Sequence, residues 1–214
     1  MSPLKTLLCA SALALATGPA LAEVAAVATT DLNVRSGPGP EFPVAAVIGV
    51  NQQATVLGCL ESSKWCEVAV GGTTGWAYSD YLVADVEGAP VVVYERREAM
   101  GVPVVTYDGP GAELAAGTTG AIAGAIVGGP VGAAVGGAAG VVLGDAFDPE
   151  RPRQYIVEHP VDPVYLDGEV VVGGTIPETV TLYEIPEAQY RYVYLNGQQV
   201  LVAPDTRQIV HVYR

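Results

Sequence analysis

The chain has 214 residues and carries 23 acidic against 10 basic side chains, a formal charge of −13. That balance excludes nucleic acid, which rewards clustered Lys and Arg, and removes simple charge attraction as a route to anionic lipid. The length leaves room for two small domains plus connecting material.

The first 22 residues carry the pattern of a secretory leader. Lys5 supplies a positive start, residues 7–16 an apolar run too short to span a bilayer, and Ala20-Leu21-Ala22 a small-residue cleavage site. The mature protein is therefore expected to begin at Glu23 with a charge of about −14. Cys9 falls inside the leader and lacks a lipidation pattern around it. Cleavage leaves Cys59 and Cys66. In an exported protein this even pair reads as a disulfide, and the polar turn Glu61-Ser62-Ser63-Lys64 places the two on neighbouring strands of a hairpin. A catalytic thiol is the rival reading, but the two histidines, His159 and His211, are remote in sequence.

Residues 24–85 show short strands divided by turn signals. Residues 30–35 alternate apolar and polar side chains before Gly37-Pro38-Gly39-Pro40 breaks the run. Residues 44–50, 54–60, 65–70 and 75–78 read as further strands, with Gly71-Gly72 as a tight turn and residues 79–82 as one helical turn. Five short strands in so few residues predict a small barrel with a modest core, for which a disulfide matters. The segment Leu32-Asn33-Val34-Arg35-Ser36-Gly37-Pro38-Gly39 resembles the signature of bacterial SH3 domains. Gly75-Trp76 with Tyr81-Leu82 resembles that family's closing motif, and Trp65 falls where a strand tryptophan is common. The resemblance implies a targeting module of exported proteins that binds peptidoglycan, its peptide stems or a protein. Its implied groove residues are Trp65, Trp76, Tyr78 and Tyr81, with the two tryptophans also readable as core. Arg35 has two readings, a carboxylate binder or a brace for the Gly-Pro-Gly loop through backbone carbonyls.

Pro90, Pro103 and Pro110 punctuate residues 86–116, which read as a mostly extended linker able to add an edge strand to a neighbour. Then Gly120, Gly124, Gly128, Gly132, Gly136, Gly140 and Gly144 keep a strict period of four. On a helix that period makes a bare strip against which another helix can pack closely. The ten glycines of residues 117–144 disfavour a water-exposed helix by roughly 8–10 kcal/mol. Eight larger aliphatics return only about 2.4–4.8 kcal/mol on insertion into a membrane. Gly128-Gly129-Pro130 should kink or break the helix. A membrane-embedded or self-associating helical hairpin ranks ahead of a spanning kinked helix and a flexible tether. Residues 117–145 resemble the glycine-zipper segments of bacterial envelope proteins, which implies membrane association or oligomerisation.

Residues 148–214 carry short β-prone runs at 154–158, 164–166, 169–172 and 180–185. A clear meander follows: residues 190–195, an Asn196-Gly197 type I′ turn, residues 198–202, a turn at Pro204-Asp205-Thr206-Arg207 and a last strand at 208–213. Tyr190, Tyr192 and Tyr194 fall on one face, with Arg191 and Val193 on the other. The spacing of Pro177, Val180, Tyr183 and Pro186, with Tyr192-Val193-Tyr194-Leu195-Asn196-Gly197 and Ile209-Val210, resembles domain of unknown function 1236. That domain typically stands behind a bacterial SH3 domain and a glycine-rich segment in exported proteins of Gram-negative bacteria, and implies no activity.

The expected architecture is mainly β: a small SH3-like barrel, a glycine-rich helical segment, and a small C-terminal β-meander or α+β domain. The expected function is non-catalytic. The barrel would bind peptidoglycan or an envelope protein, and the zipper would mediate membrane contact or self-assembly, in the periplasm or envelope of a Gram-negative bacterium. No cofactor or metal is expected, because two histidines without clustered partners make a poor ligand set. The competing class is a soluble periplasmic structural or stress-protective protein working through protein contacts alone. A wall hydrolase would need a Cys/His or multi-His site that the chain does not assemble.

Overall fold

The computed structural model describes residues 23–115, 122–126 and 148–214. The leader lies outside these residues, as do Gly120, Gly128, Gly132, Gly136, Gly140 and Gly144 of the zipper.

Eight strands form one antiparallel sheet: β1 (Val24–Ala28), β2 (Leu32–Arg35), β3 (Val44–Ile48), β4 (Gln53–Cys59), β5 (Trp65–Val70), β6 (Thr73–Tyr78), β7 (Leu82–Val86) and β8 (Ala89–Val92). Their order across the sheet is β3-β2-β6-β5-β4-β1-β7-β8. A single 3-10 turn, Ser79–Tyr81, joins β6 to β7, where one helical turn was expected. The sheet wraps one core that includes Leu32, Val34, Ile48, Val56, Val68, Trp76 and Leu82. β1 is a strand the sequence conceals. Its run Val-Ala-Ala-Val-Ala has no alternation and few β-formers, and pairing with both β4 and β7 makes it extended.

Cys59 and Cys66 face each other across β4 and β5 and are joined by a disulfide. The bridge closes a short hairpin, and in the chain-entropy model it contributes about 2.5 kcal/mol. The double variant Cys59→Ser/Cys66→Ser is therefore expected to lower the free energy of unfolding by about that amount. Denaturant titration of the two purified proteins checks this.

The linker is not free. β8 adds the expected edge strand, α1 (Val93–Arg96) turns the chain, and residues 102–105 return to the sheet. There Cys59 N–H donates to the Pro103 carbonyl at 2.9 Å and Val105 N–H donates to the Cys59 carbonyl at 3.0 Å. The approach needs Gly58, where a β-carbon would sit 3.1 Å from the Pro103 carbonyl oxygen and closer still to Val105. Beyond it, the Tyr107 ring packs edge-on against Trp76 and Phe42, with centroids 5.6 and 5.7 Å away. A short helix α2 (Ala112–Ala115) follows.

Within the glycine segment the helical expectation is corrected over four residues. Ile122–Ala125, which includes Gly124, forms strand β9, parallel to β10 (Tyr165–Asp167). The Ile126 N–H continues the pairing to the Asp167 carbonyl at 2.9 Å, and Ile126 is buried in the C-terminal core. Glycine disfavours an isolated helix, and a ready strand edge offers this stretch backbone partners instead.

The β-prone reading of residues 154–158 is also corrected: they belong to helix α3 (Glu150–Glu158). Asp148 Oδ1 accepts from Glu150 N–H, Pro152 sits in the first turn where its missing N–H is harmless, and Pro160 ends the run. Strands β11 (Tyr183–Glu184), β12 (Arg191–Leu195), β13 (Gln198–Val202) and β14 (Ile209–Val212) then form an antiparallel sheet in chain order. Alternation along β12 and β13 divides the packing. Val193, Leu195, Val200 and Val202 join Leu166, Val170 and Ile176 in one cluster, while Tyr192 and Leu201 join Ile156 of α3 in another. The meander thus becomes an α+β unit covered on both faces.

Candidate functional site

Strand β2 organises the site. Its alternation turns Leu32 and Val34 into the barrel core and leaves Asn33 and Arg35 on the opposite face. That face is covered too, because the chain between β10 and β11 crosses it. Gly168, at φ +96°, makes a turn open to glycine and presents Glu169 to Arg35. Val171 follows and packs into the barrel's own cluster.

Arg35 and Glu169 are both essentially inaccessible, at 1% and 0%. Arg35 Nε donates to Glu169 Oε2 and Nη2 to Oε1 at 2.6 Å, a two-pronged fit of guanidinium to carboxylate. Nη2 also donates to the Asn196 carbonyl at 3.0 Å. Nη1 donates to the carbonyls of Pro40 at 2.9 Å and Phe42 at 2.7 Å. All the donors of the guanidinium are engaged. Arg35 thus braces the chain just after the Gly-Pro-Gly turn through the Pro40 and Phe42 carbonyls, and the carboxylate it holds is that of Glu169 in the same chain.

The amides complete the cluster. Asn33 Nδ2 donates to Glu169 Oε1 at 3.1 Å and to Gln198 Oε1 at 2.7 Å. Val170 N–H donates to Glu169 Oε1 at 2.8 Å. Asn196, besides forming the β12–β13 turn at φ +48°, brackets the Gly168 turn, accepting from Leu166 N–H and donating to the Leu166 and Gly168 carbonyls. Arg214 Nη2 donates to the Asp31 carbonyl at 3.0 Å and ties the last residue to the barrel. Among the described residues, every buried polar side chain except Ser79 belongs to this cluster: Asn33, Arg35, Glu169, Asn196 and Gln198. Ser79 instead donates to the Lys64 carbonyl.

The five candidate ligand-binding residues of the barrel, Arg35, Trp65, Trp76, Tyr78 and Tyr81, are 1–8% exposed. Trp76 lies under Tyr107 of the linker. Trp65 packs edge-on against Tyr78 at 5.5 Å, and Tyr78 leans on Tyr81 at 6.3 Å. Burial, then the charge of Asp167, pushes the Tyr78 hydroxyl far above its usual range, and burial, then Asp80 and Glu169, does the same to Tyr81. Tyr213, whose hydroxyl donates to the Pro149 carbonyl, is pushed up to about 12, first by burial and then by Glu150. Raised tyrosine values favour the neutral form in the folded state. Their stabilisation is complete below the unfolded value near 10 and is lost as pH climbs through the folded values. The melting temperature is thus expected to fall steeply above about pH 10, with tyrosinate absorbance rising together with unfolding. Melts followed at both wavelengths between neutral and strongly alkaline pH check this.

Sequence reasoning missed Asn33, Glu169, Asn196 and Gln198 as members of this cluster. The available signal was small: two polar residues spaced i, i+2 around a core valine, and one acid after a glycine in an apolar run.

Elsewhere, an open groove of about 520 Å³ runs between α3 and residues 185–190, lined by Tyr155, Pro186, Glu187 and Tyr190 among others. The two histidines lie apart. His159 ends α3 with its ring stacked on Tyr155, and His211 sits on β14 against Tyr213. Among the described residues no three His, Cys, Asp or Glu side chains come together as a metal site.

The fold is thus a curved β module joined to a second, α+β domain through a sequestered ion pair. The comparison with protein families gives the modules: residues 30–83 match the bacterial SH3 domain, and residues 155–214 match a domain of unknown function, DUF1236. The comparison with curated proteins found no match.

Proposed function

We propose that the protein is an exported, non-catalytic binding protein of the envelope of a Gram-negative bacterium. Its barrel engages peptidoglycan or an envelope protein, and its glycine-rich segment attaches it to the membrane or joins copies of it. The observation that supports the binding reading is the barrel's guanidinium fork, which holds the side-chain carboxylate of Glu169 from outside the barrel. Its charged groups are closed on one another, whereas a catalytic centre presents a titrating group to an open site. Export is supported by the leader pattern and by a disulfide, a bond that persists in oxidising compartments.

The second reading is a periplasmic assembly protein acting through protein contacts alone. It is favoured by the cover over the barrel's candidate residues. Co-sedimentation of the mature chain with purified sacculi tests the wall clause, and absence from the pellet would remove it. Carbonate washing of native membranes tests attachment, with release pointing to the second reading. Muropeptide release by the pure protein would overturn the non-catalytic assignment.

A further inference from the structure

We propose that the Asn33–Arg35 face of the barrel is a receptor site for a short peptide bearing a carboxylate, and that residues 167–171 of the same chain are its resident occupant. This rests on the binding reading above and names the ligand class and its control.

The receptor half is complete within the barrel. Pro40 and Phe42 hold Nη1 of Arg35 through their carbonyls, so Nε and Nη2 point outward as a fork whatever occupies the face. Asn33, two residues earlier on the same strand, adds an amide donor to the same carboxylate oxygen. The Tyr78 ring lies against the Gly168 turn, and the barrel's buried cluster takes in one aliphatic side chain of the segment, that of Val171. A carboxylate followed two residues later by a β-branched aliphatic is the pattern the face reads.

The occupant half is built for presentation. Residues 168–171 lie outside any strand, so this stretch contributes no ladder to the barrel sheet. Its anchor is the Glu169 carboxylate, aimed by the Gly168 turn that Asn196 brackets. A segment held at one carboxylate, by the fork and the Asn33 amide, and at one apolar side chain can be exchanged for a competing peptide of the same chemistry. A barrel with an extended ladder partner could not exchange it so simply. Docked, the C-terminal domain keeps the face shut.

The test uses the full mature chain and a labelled peptide with the sequence of residues 165–176. Fluorescence anisotropy should show the peptide binding Glu169→Ala at least about tenfold more tightly than wild type, because the internal copy no longer competes. Adding Asn33→Ala to that variant, or replacing the glutamate of the peptide by glutamine, should weaken binding about tenfold. Equal binding to wild type and Glu169→Ala, or indifference to the peptide carboxylate, would overturn the proposal. Should Glu169→Ala fail to fold, Glu169→Gln keeps the shape and removes the charge, and hydrogen exchange at residues 167–171 should rise in it. Unchanged exchange there would also overturn the proposal. Sacculi run in parallel separate the two readings. Peptide capture without sacculus binding leaves this inference standing and removes the wall clause, and the reverse pattern does the opposite.

Discussion

Replacing Glu169 by alanine is expected to destabilise the docked form by about 3–5 kcal/mol, the usual penalty for leaving one member of a buried ion pair without its partner. The guanidinium would keep its bonds to Pro40 and Phe42 but lose both prongs to the carboxylate. The loss has a ceiling. The barrel and the C-terminal domain hold separate clusters of buried side chains, bridged at Val171, so Arg35 can regain water once the domains part. The expected readout is therefore a split of one unfolding transition into two, with the second domain melting at its own temperature. Differential scanning calorimetry of wild type and Glu169→Ala decides it. A single transition shifted by less than about 1 kcal/mol would mean that the pair is replaced easily by water and is no clasp. Because a well-packed apolar pair often matches or exceeds a buried ion pair, Arg35→Met/Glu169→Met should recover much of the loss while abolishing carboxylate recognition. That contrast separates holding the domains together from reading a ligand.

Trp76→Ala is expected to cost about 3–5 kcal/mol, the range for emptying a buried tryptophan site. Trp76 is 5% exposed, pairs with Arg35 across β2 and β6, and carries the edge of Tyr107 on its ring. Its loss removes the seat for the linker as well as core volume. Residues 102–110 should then become the first site of limited proteolysis. Denaturant unfolding with proteolysis at matched stability checks both parts. A variant with near-normal stability that had lost only ligand binding would make Trp76 a groove residue instead of a core one.

Strands β2 to β6, unlike β1 and β7, were legible because alternation, turn glycines and the Asn-Val-Arg-Ser-Gly-Pro-Gly run act over a few residues. The same holds for the β12–β13 hairpin, which Asn196-Gly197 encodes locally. Helix α3 was misread because Gln154 to Glu158 contains β-tolerant side chains, and its first turn begins upstream, where Asp148 accepts from Glu150 N–H. The strand at Ile122–Ala125 was hidden inside a helical period, since a repeat of four glycines describes a face only if the chain is helical there.

The sequence by itself determined strands β2 to β6 of the barrel, the disulfide pair and the closing meander, because each depends on neighbours within a hairpin. It also gave residues 30–35 the alternation that sets Asn33 and Arg35 apart from Leu32 and Val34. Only the tertiary structure decided what covers that face. The partner of Arg35 lies 134 residues away, and a single glutamate in an apolar run has no local preference that names its guanidinium. Burial of a charge is decided by what packs over it, and that is a property of two domains meeting rather than of either segment alone.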